Sequence, residues 1–175
     1  MRFRGDERAQ AKSFGDYLAR RTRSVAMAAA SGQPNPALIL TLGAAAARSF
    51  VADVLVNPGV ALGVWRIEVL PLVTSRFRQP LYPMPDDVLA FTVRLQRRAS
   101  GRDAPDHQAM LNVNKALVRK LVPSGAKIYP PFAPLLSPRD WRRHYGTVWP
   151  RFAAAKRRYD PRRILTPGAA IFDQA

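Results

Sequence analysis

The sequence contains no cysteine and only two histidines, His107 and His144. Disulfides, thiolate nucleophiles and Cys-ligated metals are therefore excluded, and a histidine-built metal centre has too few imidazoles. Acidic residues are also scarce: 12 Asp and Glu stand against 28 Lys and Arg, a net charge of +16. Glu7 and Glu68 are the only glutamates. Neither GxGxxG nor GxxxxGK[ST] occurs, so no phosphate-cradling loop is signalled. The longest apolar run, Ala37 to Ala47, covers 11 residues and includes Thr41 and Gly43. Such a run is too short to cross a bilayer, and no membrane partner is expected. The opening MRFRGDERAQ carries positive charge with no apolar stretch behind it, so a secretory signal is not expected either. These absences favour a soluble, cytoplasmic protein without a metal.

What is present suits one domain. The chain has 175 residues, 47% hydrophobic and 23% charged, enough to bury a core. Its basic charge is concentrated towards the ends: seven Lys or Arg fall in residues 1–23 and nine in residues 137–175. This reads as a solvated basic surface with non-specific polyanion affinity, and no specific nucleic-acid partner is expected.

The apolar pattern predicts a helix over Phe14 to Ala30 and a break at SGQPNP. A buried strand, Ala37 to Leu42, follows. Ala44 to Val56 is a second helix, with Phe50, Val51, Val54 and Leu55 on one face and Asn57-Pro58-Gly59 as its stop. VWRIEVLPL and VLAFTVRLQ are half-buried strands; in the second, Leu89, Phe91, Val93 and Leu95 share a face. The segment between them, Thr74 to Asp87, holds three prolines and is a long loop of a kind that is often functional. His107 to Val122 is the clearest helix, and Ala126 to Tyr129 a further strand. Ser137-Pro138-Arg139-Asp140 is close to a capping box, and Thr147 is positioned to cap one more helix. The order implies an α+β fold, an antiparallel sheet with helices on one side, plus a helical C-terminal tail.

No catalytic constellation assembles from these residues, and none is assigned. Glu68, on a strand with Arg66, reads as an ion-paired sheet residue. Asp86 and Asp87 are adjacent and cannot form a facing acid–base pair. His107 is a solvated residue at a helix start. His144 reads as a packing or hydrogen-bonding histidine. Taken alone, the residues describe a binding or structural part more than a complete enzyme.

The stretch from Trp141 to Phe172 reads W-x-x-H-Y-G-x-x-W-x-x-F-x-x-x-K-x-x-Y-D-P-x-x-I-L-x-P-G-x-x-I-F. It resembles the C-terminal end of cytokinin dehydrogenases, FAD-linked oxidases of the vanillyl-alcohol-oxidase superfamily. VLPLVTSRFRQPLYPMPDDVLAFTVRLQRRA (Val69 to Ala99), NPALILTLG (Asn35 to Gly43) and FGDYLARRTR (Phe14 to Arg23) resemble upstream segments of the same family. The likeness covers about residues 14–172 and corresponds to roughly the C-terminal third of such an enzyme. It implies FAD as cofactor and a substrate-cap domain over residues 1–130, incomplete at its N-terminus. Residues 131–175 would be a tail returning to an FAD domain supplied in cis or in trans. The implied reaction moves hydride to FAD from the carbon beside the side-chain amine of an N6-substituted adenine, a small cytokinin-like substrate. The covalent flavin link, the pyrophosphate site and the catalytic aspartate belong to the FAD domain and have no counterpart in these residues. The chain is therefore expected to be inactive alone, as a fragment or split product.

Residue by residue, the likeness places Tyr129 at a flavin-contacting tyrosine. Thr166 stands at a serine that hydrogen-bonds FAD, and keeps the hydroxyl. Ala169 stands where the family has a cofactor-binding Gln. Ala37 and Ile39 take the substrate-binding positions of a Trp and an Asn that hold the adenine, leaving an aliphatic lining suited to an apolar substrate. The apolar faces of Leu89 to Leu95 and of Trp149 and Phe152 are expected to exceed what the chain can cover, so that part meets the FAD domain. The alternative is a small basic, non-enzymatic interaction protein that binds a protein partner or nucleic acid.

Overall fold

The computed structural model describes residues 13–30, 32–130, 136–165 and 171–172. The chain divides into two units, Met1–Gln33 and Pro34–Ala175. The first contains α1 (Phe14–Ala30). Ser13 starts it: its Oγ accepts the Asp16 backbone N–H at 3.1 Å and donates to Asp16 Oδ2 at 2.7 Å. That exchange satisfies an otherwise orphaned helix N–H.

The second unit runs β1 (Leu38–Gly43), α2 (Ala44–Val56), β2 (Val64–Val73), β3 (Leu89–Arg97), α3 (Pro105–Leu121), β4 (Lys127–Ile128), α4 (Pro138–Tyr145) and α5 (Trp149–Tyr159). The strands lie in the order β2-β3-β1-β4, and every pairing is antiparallel. Leu38 faces Leu95, Leu40 faces both Val93 and Ile128, and Leu42 faces Phe91. Because side chains alternate across a strand, these residues share one face. On that face they meet Phe50 and Val54 of α2, Leu117 and Val118 of α3, and Trp141 and Tyr145 of α4. Leu38, Leu40, Val93 and Leu95 are fully buried, each such side chain contributing about 1.5–3 kcal/mol relative to exposure. The fold is α+β, an antiparallel sheet with helices on one side.

Glycine is required at two close approaches. At Gly63, φ is +65° and a Cβ would lie 2.2 Å from Met110 Cε. At Gly43, the N-cap of α2, a Cβ would lie 2.0 Å from Asp87 Oδ2. The carboxylate of Asp87 thus rests at the positive end of α2, a favourable placement for an anion.

Four sequence expectations change. β2 does not alternate between buried and exposed residues: Trp65, Val69, Leu70 and Val73 are all more than 40% exposed, because β2 is the sheet edge and α2 and α3 pack over β1 and β3. The surplus apolar surface therefore lies on β2, not on Val93 and Leu95, which are buried, nor on Trp149 and Phe152, which pack against the core. Leu89, 41% exposed, is the exception. Thr147 does not cap α5; it sits inside a 3-10 turn, Gly146–Val148, that runs directly into the helix. Leu55 faces solvent instead of joining Phe50 and Val54.

Candidate functional site

The face of the sheet away from the helices carries the other half of each strand. One row across it is Tyr129, Ile39, Arg94 and Glu68: Tyr129 N–H bonds Ile39 O at 3.2 Å, Ile39 faces Arg94, and Arg94 faces Glu68. The neighbouring row is Lys127, Thr41, Thr92 and Leu70. Ala37 shares the parity of Ile39 and Thr41, and all three are buried. The structure thus brings Ala37, Ile39 and Tyr129 together on this face. Thr166 and Ala169 lie outside the described residues.

The polar groups are already paired in specific ways. Glu68 binds Arg66 at 2.9 Å and Arg94 at 3.7 Å, the ion-paired sheet residue its sequence context suggested. Thr41 and Thr92 place their hydroxyl oxygens 3.3 Å apart. The segment between β2 and β3 lays an aromatic pair over this area. Phe77 and Tyr82 stack with centroids 5.7 Å apart, and Tyr82 meets Tyr129 edge-on at 6.3 Å. Burial raises the Tyr82 phenol pKa and the neighbouring Tyr129 adds to the shift, while a side-chain hydrogen bond with Thr41 works against it. Thr41, Thr92 and Tyr82 escaped the sequence reading. Thr41 was hidden inside an apolar run, and Tyr82 inside a proline-rich loop whose length alone marked it.

The tail motif resolves into structural roles. His144 is buried between Trp141 and Tyr145, at ring distances of 5.7 and 4.9 Å. Its pKa is pushed down to about 4, first by burial and then by Lys127, so the ring packs as the neutral form. Trp149, Phe152 and Phe172 form an aromatic cluster, with Phe172 5.1 Å from Trp149 and 5.0 Å from Phe152. Asp160, buried, pairs with Lys156 and accepts the N–H groups of Ile164 at 2.9 Å and Leu165 at 3.0 Å. The Y-D-P motif is thus a chain reversal at the end of α5. Arg163, inside this reversal, takes a left-handed φ of 53°.

Among the described residues no group of His, Cys, Asp or Glu could hold a metal, and no helix is long and apolar enough to cross a membrane. The residues fit FAD in part. Tyr129 stands 37% exposed at the margin of this face, and Lys127 beside it supplies a cation. The sequence offers no glycine-rich phosphate cradle.

Residues 11–172 match the family described as "Cytokinin dehydrogenase 1, FAD and cytokinin binding". The chain is 36% identical over 121 residues to an uncharacterized oxidoreductase, ORF5 in the fasciation locus of Rhodococcoides fascians, covering 69% of this chain and 25% of that protein. It is 30% identical over 92 residues to cytokinin dehydrogenase 2 of Arabidopsis thaliana, covering 53% of this chain and 18% of the relative. Against cytokinin dehydrogenase 8 of Oryza sativa subsp. japonica the identity is 52% over 48 residues, covering 27% of this chain and 9% of the relative. The matches therefore span a quarter or less of these relatives' lengths. With a family match over residues 11–172, the chain belongs to the cytokinin dehydrogenase FAD- and cytokinin-binding family.

Proposed function

We propose that this chain is the C-terminal, substrate- and FAD-contacting part of a cytokinin-dehydrogenase-like flavin oxidoreductase, and that it is inactive alone. The observation that carries this reading is the sheet face opposite α2 and α3, on which Ala37, Ile39 and Tyr129, the residues expected at substrate and flavin positions, are neighbours. In this reading residues 1–130 are the cap and residues 131–175 the tail that returns to an FAD domain, in cis or in trans. FAD, when bound, supplies hydride acceptance from the carbon beside the substrate's side-chain amine. The chain's own part is to orient the substrate and exclude water. Ile39 and Ala37 form an aliphatic floor, Tyr129 borders the ring of the cofactor, and Thr166 offers it a hydroxyl. A cytoplasmic location and the lack of a specific nucleic-acid partner belong to the same proposal. Cell fractionation tests the first. For the second, any DNA binding should be sequence-independent and collapse with salt.

The decisive experiment is complementation. The chain alone should purify colourless, and co-expression with the FAD domain of a cytokinin dehydrogenase should give a yellow complex. That complex should oxidise an isoprenoid cytokinin slowly, because Ala37 and Ile39 offer no hydrogen bond to an adenine. Thr166→Val should weaken flavin retention by about 0.5–1.5 kcal/mol, one hydrogen bond. Near-stoichiometric flavin on the desalted chain alone would refute the division of labour. A monodisperse monomer that ignores the FAD domain would leave a small basic interaction protein as the better account.

A further inference from the structure

We infer that the cleft between α3 and α4 binds a small apolar monocarboxylate, its hydrocarbon body on the buried floor and its carboxylate between Arg119 and Arg143. The cleft has a volume of about 170 Å³, and an apolar cavity of about 150 Å³ already admits a benzene ring. Its floor is Val118 of α3, Ile128 of β4 and Leu136 just before α4, all buried. Ile128 faces Leu40 across the ladder, and Leu40 belongs to the core that the helices cover. The cleft therefore lies on the helix side of the sheet, on the opposite face from Ala37, Ile39 and Tyr129. Its occupant is independent of the substrate reading.

The charges at the cleft define what fits. Arg119, in the last turn of α3, and Arg143, in the last turn of α4, both line it and are exposed. Neither lies within ion-pair distance of a carboxylate among the described residues. Asp140, the acid of the cleft, is committed to the cap of α4: its Oδ2 accepts the Ser137 hydroxyl at 2.6 Å and the Ser137 N–H at 3.3 Å. The Ser137 hydroxyl is the largest cause holding this carboxyl below its ordinary pKa, and Arg143 and Arg119 add to it while burial works against it. Asp140 is thus anionic at neutral pH and offsets one of the two guanidiniums. One positive charge remains beside an apolar floor, carried by planar donors whose fork suits a carboxylate. A monoanion with a single ring or a branched aliphatic body matches both the charge and the volume.

The test uses the full chain, isotope-labelled and in low salt, with benzoate and benzamide as probes and two-dimensional amide spectra as the readout. Benzoate should shift the amides of Val118, Ile128, Leu136 and Asp140 saturably. It should bind about tenfold more tightly than benzamide, its neutral analogue, the scale of one charge-assisted hydrogen bond. Arg119→Gln with Arg143→Gln should abolish that preference and leave the weaker benzamide binding unchanged. Arg143→Gln alone should reduce the preference, and replaces the double variant if the latter loses its dispersed spectrum. Arg157→Gln with Arg158→Gln removes the same charge from α5 and should leave the preference intact. Benzoate that shifts none of these amides, or that binds no better than benzamide, would overturn the inference. So would a preference that survives the cleft variants, or one lost equally in the α5 pair, which would reduce it to net charge.

Discussion

Asp160 lies one helical turn after Lys156, and its carboxylate closes the end of α5 by taking the Lys156 ammonium together with the backbone N–H groups of Ile164 and Leu165. Lys156 in turn donates to Leu165 O at 2.7 Å. These bonds hold the Asp160 carboxyl below its ordinary pKa, with the Lys156 bond the largest cause. A depressed acid contributes stability that is present above the unfolded-state value of about 3.9 and is lost as pH falls through the folded-state value. Asp160→Asn should therefore lower the melting temperature at pH 7 and flatten the loss of stability below about pH 4. Thermal melts across that range measure both effects. An unchanged melting temperature at pH 7 would mean the reversal does not depend on this carboxylate.

A second acid-side effect belongs to His144 and occupies a different window. Neither of its ring nitrogens has a hydrogen-bond partner among the described residues, and its folded-state pKa is about 4. The unfolded chain takes up the proton near 6.5, so stability is full above that value and falls as the pH drops towards about 4. The loss across that interval should be about 3 kcal/mol, at 1.36 kcal/mol per unit of separation. His144→Phe keeps an aromatic ring beside Trp141 and Tyr145 and should remove this slope without lowering stability at pH 7. Denaturant midpoints at pH 7, 5.5 and 4.5 for the two proteins check it. Parallel slopes would show that His144 is already protonated in the fold.

Arg97 is fully buried with no carboxylate partner among the described residues. It projects from β3 on the helix-covered face and occupies what would otherwise be a core position. Its guanidinium donates to Asn114 Oδ1 at 2.9 Å, to Val60 O at 3.0 Å and to Leu62 O. Asn114 passes the link on to Pro36 O at 2.8 Å. Desolvation pulls the Arg97 pKa down to about 10, still charged at neutral pH. The planar fork reaches three acceptors at once, which an ammonium cannot reproduce. Arg97→Lys should cost about 2–4 kcal/mol, since it leaves buried carbonyls unsatisfied. Urea unfolding measures this. A loss below about 0.5 kcal/mol would place it among ordinary surface changes and remove the structural role.

Much of this architecture was legible in the residues. β1 was an unbroken apolar run because helices cover one face and the loop and tyrosines cover much of the other. The box Ser137-Pro-Arg-Asp marked α4 because capping chemistry is local. What stayed hidden was non-local. Arg97 looked like one more basic residue in QRRA, since only the register with Val64 and the approach of Asn114 make it a core group. Thr41 and Thr92 are 51 residues apart, and nothing in either segment marks their contact. The exposure of β2 was also invisible, because alternation in sequence describes a strand's two faces and not whether anything covers them.

That exposure leads to the last prediction. β2 is a ten-residue edge strand whose Val69 and Val73 lie on the helix side of the sheet but beyond the helices, with Val69 44% and Val73 48% exposed. Val88 and Leu89, across from Val73, are 81% and 41% exposed. Uncovered apolar residues beside a long strand edge favour pairing with another chain. The net charge of +16 opposes such pairing at long range, and salt screens that repulsion over about 8–10 Å at 0.1–0.15 M. The isolated chain should accordingly be closest to monomeric in low salt and self-associate as salt rises, the reverse of an association held by ion pairs. Val69→Lys with Val73→Lys should suppress it, because both positions are solvent-facing and add charge to the edge without disturbing Val93 or Leu95 behind them. Sedimentation velocity at low and moderate salt distinguishes the outcomes. Association that weakens with salt, or that persists in the double lysine variant, would place the contact elsewhere than β2.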